Sequence, residues 1–402
     1  MNVRITPSLL HGTVQAPPSK SMAHRHLICA ALADGISVVG GVDYSEDILA
    51  TMDCMTAFGA KFTTDGSTVT VDGRGMFRGD GAILNCRESG STLRFLLPMA
   101  LCCGRPMTFR GKGRLMERPM DIYEDLCREK GFSFTRAPGE ITVCGNLTHG
   151  EYRIRGDISS QFISGMILAL ATRSGDSHIG ILPPFESRSY VLLTISALEK
   201  AGIPVRFTDE YHIYIPGGLQ FAPFSGDVEG DFSNAAFLDA FNCIGCDVRV
   251  GGLAADSLQG DRVYKEHYPA LCAGAPVIDI SDCPDLGPVL LAVAALKNGG
   301  VFTGTARLAV KESDRGAAMA EELAKVGITL VCEENRITVP GGQVLHAPET
   351  IIDGHNDHRI VMAMAVVLSA VGGEIAGAEA VRKSYPGFFE DMECLSGKVE
   401  IL

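Results

Sequence analysis

The chain has 402 residues, 46% of them hydrophobic, which predicts two or three domains with sizeable cores. Its formal net charge of −13 excludes a generic nucleic-acid binder or a protein held by charge to an acidic membrane, so any anion site must be local. Its apolar runs are broken by polar residues or Gly well short of a membrane span.

The first predicted element is the strand VRITP, which has no local partner and is assigned to the second domain. A capped helical segment then recurs six times, each copy opening with a polar cap and most ending near Gly. The copies begin at Ser19 (SKSMAHRHLICAALADG), Ser89 (SGSTLRFLLPMALCCG), Ser159 (SSQFISGMILALATRSG), Ser233 (SNAAFLDAFNCIG), Asp285 (DLGPVLLAVAALKNG) and Asn356 (NDHRIVMAMAVVLSAVGG). Most starts lie about seventy residues apart, too long for a solenoid repeat and suited to a small α/β unit. These helices are apolar nearly all round and are predicted to be buried. Between them runs a second pattern of amphipathic helix, Gly, strand, turn and strand, as in AFGAKFTTDGSTVTVDG, EKGFSFTRAPGEITVCG, KAGIPVRFTDEYHIYIPGG and KVGITLVCEENRITVPGG. Three such units are predicted per domain, with the Pro/Gly-rich stretch 216–230 as a crossover. The expected domains are 14–228 for the first and 1–13 with 229–402 for the second.

Several caps carry cations. Lys20 and Arg25 follow Ser19, Arg94 follows Ser89-Gly90-Ser91-Thr92, and His358-Arg359 follow Asn356-Asp357. A serine cap satisfies the free N–H groups of a helix and is unremarked by itself. A cation there opposes the helix macrodipole, a local cost that a bound anion offsets. Arg114 and Arg118, Lys311 and Arg315, and Arg382 and Lys383 stand at the same place in the repeat. Asp285 and Glu312, set among these cations, are the acid–base candidates. The sequence has no GxSxG, GxxxxGK[ST] or post-strand GxGxxG, and its His residues lack metal-ligand spacing. Cys243 and Cys246 form a CxxC without a partner pair. The thirteen scattered cysteines, with no apolar signal stretch in MNVRITPSLLHG, predict reduced thiols in a cytoplasmic protein.

PPSKSMAHR, SGSTLR, MERP, GDISSQF, EGDFSNAAF, PDLGP, VKESDR, NDHR and RKSYPGFF occur in this order across nearly the whole chain. In these motifs the sequence resembles the EPSP synthase family. The resemblance implies an α/β fold: a two-domain inside-out α/β barrel, each domain three βαβαββ repeats around buried parallel helices. It implies transfer of the enolpyruvyl group of phosphoenolpyruvate to the 5-hydroxyl of shikimate 3-phosphate, with no metal or organic cofactor. The implied partners are these two anionic small molecules, with no nucleic acid or membrane, and the chain is expected to be a monomer. By resemblance, Lys20, Ser21, Arg25, Ser159, Ser160, Gln161, Ser187, Asp285 and Lys311 hold shikimate 3-phosphate. Lys20, Gly90, Arg94, Arg118, Gln161, Arg315, His358, Arg359 and Lys383 hold phosphoenolpyruvate. Asp285 is the implied base, Glu312 the proton donor and Lys20 the third catalytic group. Glu88, Phe95 and the Arg307-Leu308-Ala309 run depart from familiar members, which have Asn, Pro and Asn-Trp-Arg there. The alternatives are a UDP-N-acetylglucosamine enolpyruvyl transferase and a non-catalytic anion- or RNA-end-binding protein of the same fold. Glyphosate is expected to compete with phosphoenolpyruvate beside Gly90.

Overall fold

A computed structural model describes all residues, 1–402. Its twelve α-helices fall into six pairs, and the odd member of each pair belongs to a capped apolar segment. The pairs are α1 (Lys20–Leu32) and α2 (Glu46–Phe58), α3 (Gly90–Ala100) and α4 (Asp121–Lys130), and α5 (Ser160–Leu170) and α6 (Arg188–Lys200). The remaining pairs are α7 (Phe232–Ala240) and α8 (Tyr264–Ala273), α9 (Gly287–Leu296) and α10 (Arg315–Ala324), and α11 (His358–Val371) and α12 (Phe388–Cys394). Polar caps start five of the six odd helices; α7 is capped by Asp231 rather than Ser233, and α9 follows Leu286 with no side-chain cap. Ser19, Ser89, Ser159, Asp231 and Asp357 each accept a hydrogen bond from a backbone N–H of the first turn. Their sides are buried almost throughout, whereas α4 and α10 bury one stripe. The outer helices α2 and α4 end at Gly59 (φ +117°) and Gly131 (φ +70°), left-handed positions that glycine occupies without strain.

The chain forms two compact units, Pro18–Glu229 and Met1–Pro17 with Gly230–Leu402. The first seventeen residues go with the second unit because His11–Gln15 pairs in parallel with Asp247–Gly251 there. Each unit has its own hydrophobic core. In the first, Ile83–Asn85 runs parallel to Met107–Arg110, which is antiparallel to Glu140–Cys144, itself antiparallel to Ser133–Ala137. The order recurs around Ser177–Leu182 and Ile36–Gly40, the last taking Ser225–Asp227 from the end of the unit as its first strand. In the second unit it recurs around Gly300–Thr303. It recurs again around Gly373–Ala376, where Asn2–Thr6 supplies the third strand, the place found for VRITP.

One repeat departs from the expected βαβαββ. Five sheets have four strands, but the sheet of His11–Gln15 and Asp247–Gly251 has two. After α8 the chain passes directly to Val277–Asp279 without a hairpin. The spacing carries the signal: Ser233 and Asp285 stand only about fifty residues apart. Asn242 occupies the place of the missing strand at Val248. Its side-chain amide donates to Val248 O and its oxygen accepts from Val248 N, both at 2.8 Å. That satisfies an edge that would otherwise expose ladder groups. All thirteen cysteines are unbridged. No helix is long and apolar enough to cross a membrane.

Candidate active site

In the first unit, one cluster gathers at the starts of α3 and α5. Arg94, one turn into α3, donates to Gln161 Oε1 at 2.9 Å and Pro119 O at 3.2 Å, and stacks 4.9 Å from the Phe162 ring centroid. Gln161 Nε2 donates to Ser91 Oγ at 3.0 Å. A Cβ built on Gly90 would meet Arg118 Nη1 at 2.4 Å, so glycine admits this guanidinium against the first turn of α3. Gly90, Ser91, Arg94, Arg118 and Gln161 are thereby brought together, and Ser159 and Ser160 begin the helix that carries Gln161.

At α1, Lys20 Nζ pairs with Asp47 at 3.0 Å. Arg25, 2% exposed, donates to Thr194 Oγ1 (2.8 Å), Ser21 O (2.6 Å) and Tyr190 O (2.9 Å). These acceptors are neutral, and burial lowers the guanidinium to about 10, so it stays cationic at neutral pH. Phe95 lies beneath it, 5.0 Å from Cζ to ring centroid. The aromatic that replaces the familiar proline thus packs under Arg25. Ser187 starts α6 in the left-handed region (φ +55°) and is 1% exposed. Glu88 lies against Gly113, whose added Cβ would sit 2.9 Å from Glu88 Oε2.

In the second unit, Asp285 occupies the 3-10 turn Pro284–Leu286 before α9. Its carboxylate meets Lys311 Nζ (3.1 Å), Arg315 Nη1 (2.9 Å) and Arg359 Nη2 (3.1 Å). Burial pushes its pKa up, but Arg359, Lys311 and Arg315 outweigh burial and hold it well below the ordinary range. Arg315, 1% exposed, also donates through Nη2 to Glu312 Oε2 at 2.7 Å and through Nε to Asp357 Oδ2 at 2.9 Å. One guanidinium therefore bridges both acid–base candidates. Burial lowers Lys311 to about 8 despite Asp285. His358 is buried beside Asp357, Nδ1 to Oδ1 3.8 Å. Lys383 Nζ donates to Asn356 O at 2.6 Å.

Sequence reasoning treated Asp357 only as part of a cap. It caps α11 by accepting from Arg359 N (2.9 Å) and also grips Arg315 and accepts from Ser313 Oγ (3.0 Å). Its position inside NDHR was the available signal. Asp47 and Thr194, which hold Lys20 and Arg25, lie far from those cations in sequence and had no local signal. Arg307 is 6% exposed and its charge acts on Lys311, so the arginine at the first position of this departing run belongs to the cluster.

Two related α/β units with cations gathered at buried helix starts define the enolpyruvyl transferase fold. An EPSP synthase structure from Acinetobacter baumannii matches with a TM-score of 0.80 at 24% identity, covering 100% of both chains. The enolpyruvyl transferase NikO from Streptomyces tendae matches at 0.79 and 16% identity, covering 99% of this chain and 98% of its own. The family model for EPSP synthase (3-phosphoshikimate 1-carboxyvinyltransferase) matches residues 5–392, and the chain belongs to that family. The 3-phosphoshikimate 1-carboxyvinyltransferase of Clostridium kluyveri is 39% identical over 420 aligned positions, covering 99% of this chain and 98% of the relative. That of Clostridium perfringens strain SM101 is 36% identical over 419, covering 98% of each. These relatives do not favour the nucleotide-sugar or non-catalytic alternatives.

Proposed function

We propose that this chain transfers the enolpyruvyl group of phosphoenolpyruvate to the 5-hydroxyl of shikimate 3-phosphate, yielding 5-enolpyruvylshikimate 3-phosphate and phosphate. The observation that carries the reading is Arg315 bridging Asp285 and Glu312 amid Lys311 and Arg359. Asp285 is ionised, and it becomes a base for the hydroxyl proton as the substrate anions draw Lys311, Arg315 and Arg359 off its carboxylate. The same withdrawal of Arg315 lets Glu312 take up a solvent proton, which it delivers to C3 of phosphoenolpyruvate. The hydroxyl oxygen then bonds to C2, which carries the positive charge. One C3 proton then returns to the Glu312 carboxylate while phosphate leaves with the proton held by Asp285, which restores the double bond. Positioning and charge stabilisation supply most of the rate.

Lys20, Ser21, Arg25, Ser159, Ser160, Gln161, Ser187, Asp285 and Lys311 are proposed to bind shikimate 3-phosphate. Lys20, Gly90, Arg94, Arg118, Gln161, Arg315, His358, Arg359 and Lys383 are proposed to bind phosphoenolpyruvate, where bidentate arginines suit its phosphate and carboxylate. Lys20 assists proton transfer. The proposed protein is a cytoplasmic monomer that works without metal or organic cofactor. Calorimetric titration with shikimate 3-phosphate and, separately, UDP-N-acetylglucosamine tests the acceptor. Saturable binding of the first alone is expected; binding of the nucleotide sugar alone would refute the assignment.

A further inference from the structure

The turn between Ile352–Asp353 and α11 is strained. His355 and Asn356 are consecutive non-glycine residues in the left-handed region, at φ +48° and +50°, a conformation that persists only where the surroundings hold it. This turn delivers Asp357, which grips Arg315, then His358 and Arg359, and its Asn356 carbonyl accepts from Lys383. Outside this set lies Glu322, on the helix that Arg315 begins. Glu322 is fully buried. Its carboxylate accepts from His355 Nε2 (2.8 Å), Asp353 N (2.9 Å) and Lys325 Nζ (2.8 Å). The turn is also tied internally, His355 N donating to Asp353 Oδ1 at 2.7 Å.

We propose that Glu322 and His355 form a positioning clamp, in which α10 locks the strained turn so that Arg359 and Lys383 are held ready for phosphoenolpyruvate. The inference rests on the functional reading above for its ligand, and on the contacts alone for the clamp. Neither residue touches substrate in this account.

The clamp is strongest when His355 is protonated, because the imidazolium then faces a buried carboxylate. The charged groups around His355 are Glu322 and Glu321 of α10 and Asp353 of the turn, with Lys325 sharing Glu322. The hydrogen bond to Glu322 raises His355 above its ordinary value, with the charges of Glu322, Asp353 and Glu321 acting in the same direction against burial. Burial opposes ionisation of Glu322, but its bonds to His355, Lys325 and the Asp353 N–H outweigh that and set it low. A raised histidine pKa gives a contribution complete below the unfolded value and lost as pH rises through the folded one.

The test uses the full chain and His355→Asn, since Asn tolerates positive φ but is too short to reach Glu322. KM for phosphoenolpyruvate should rise about three- to tenfold with kcat within about twofold, and affinity for shikimate 3-phosphate should hold. In the parent, KM for phosphoenolpyruvate should climb above neutral pH, and this limb should vanish in His355→Asn. Independently of turnover, amide exchange across residues 354–359, corrected for intrinsic rates, should slow about three- to tenfold from pH 8.5 to pH 6 in the parent only. An unchanged KM, equal loss of affinity for both substrates, or pH-independent exchange in the parent would overturn the clamp. Absence of turnover in the parent alongside pH-dependent exchange would refute the functional reading and leave the clamp standing.

Discussion

Asp285 and Glu312 meet on one guanidinium, so their roles separate by chemistry rather than by location. Asp285→Asn and Glu312→Gln should each lower kcat by about 10²–10⁴-fold with substrate affinity much less changed. Steady-state kinetics with a titration of each ligand checks this, and near-parental turnover in either variant would remove that residue from proton transfer. Lys311 supplies a pH dependence. Its charged form suits a phosphodianion, and its value of about 8 in the folded protein means the charge is present below that pH and lost above it. The dissociation constant for shikimate 3-phosphate should therefore rise above about pH 8 by at most tenfold per unit; a constant affinity to pH 9.5 would contradict it. A Cβ added at Gly90 meets Arg118 Nη1, and the long side chain must swing aside. Gly90→Ala should raise KM for phosphoenolpyruvate about tenfold through loss of one charge-assisted contact, alongside weaker glyphosate inhibition. Parental KM would show that Arg118 shifts without cost.

At the scale of elements, what was legible followed local rules. Cap residues, the Gly stops of α2 and α4 and the all-round apolar character of the odd helices each sit within one short segment. VRITP read as a strand with a distant partner for the same reason: it is β-rich and has nothing nearby to pair with. The missing hairpin was legible only as short spacing between Ser233 and Asp285. Its compensation was not, because Asn242 reads as an ordinary polar residue near a helix end. Replacing Asn242 by Leu leaves the Val248 N–H and C=O without their partners. The expected cost is about 2 kcal/mol, seen as a lower Tm with kcat unchanged; an unaltered Tm would show that the edge needs no cover. Phe95 likewise read as a departure from a familiar proline, while its place beneath Arg25 depends on α1 and α3 meeting in space.

For the whole molecule, two units built from related repeats bring cations to buried helix starts in a chain of net charge −13. The motifs named the candidate site residues because each motif is contiguous. Asp47 and Thr194 escaped notice because they hold Lys20 and Arg25 from other helices, and Glu322 because it holds the turn at His355, through contacts that no spacing encodes. The proposed acid–base pair and the two clusters of cations lead to a single chemical claim. Phosphorus NMR of the protein mixed with shikimate 3-phosphate and phosphoenolpyruvate tests it most directly. The account predicts loss of the phosphoenolpyruvate signal with equal gain of inorganic phosphate, only when shikimate 3-phosphate is present, and a shifted sugar-phosphate resonance for the product. A persistent phosphoenolpyruvate signal, or phosphate released without the acceptor, would contradict it.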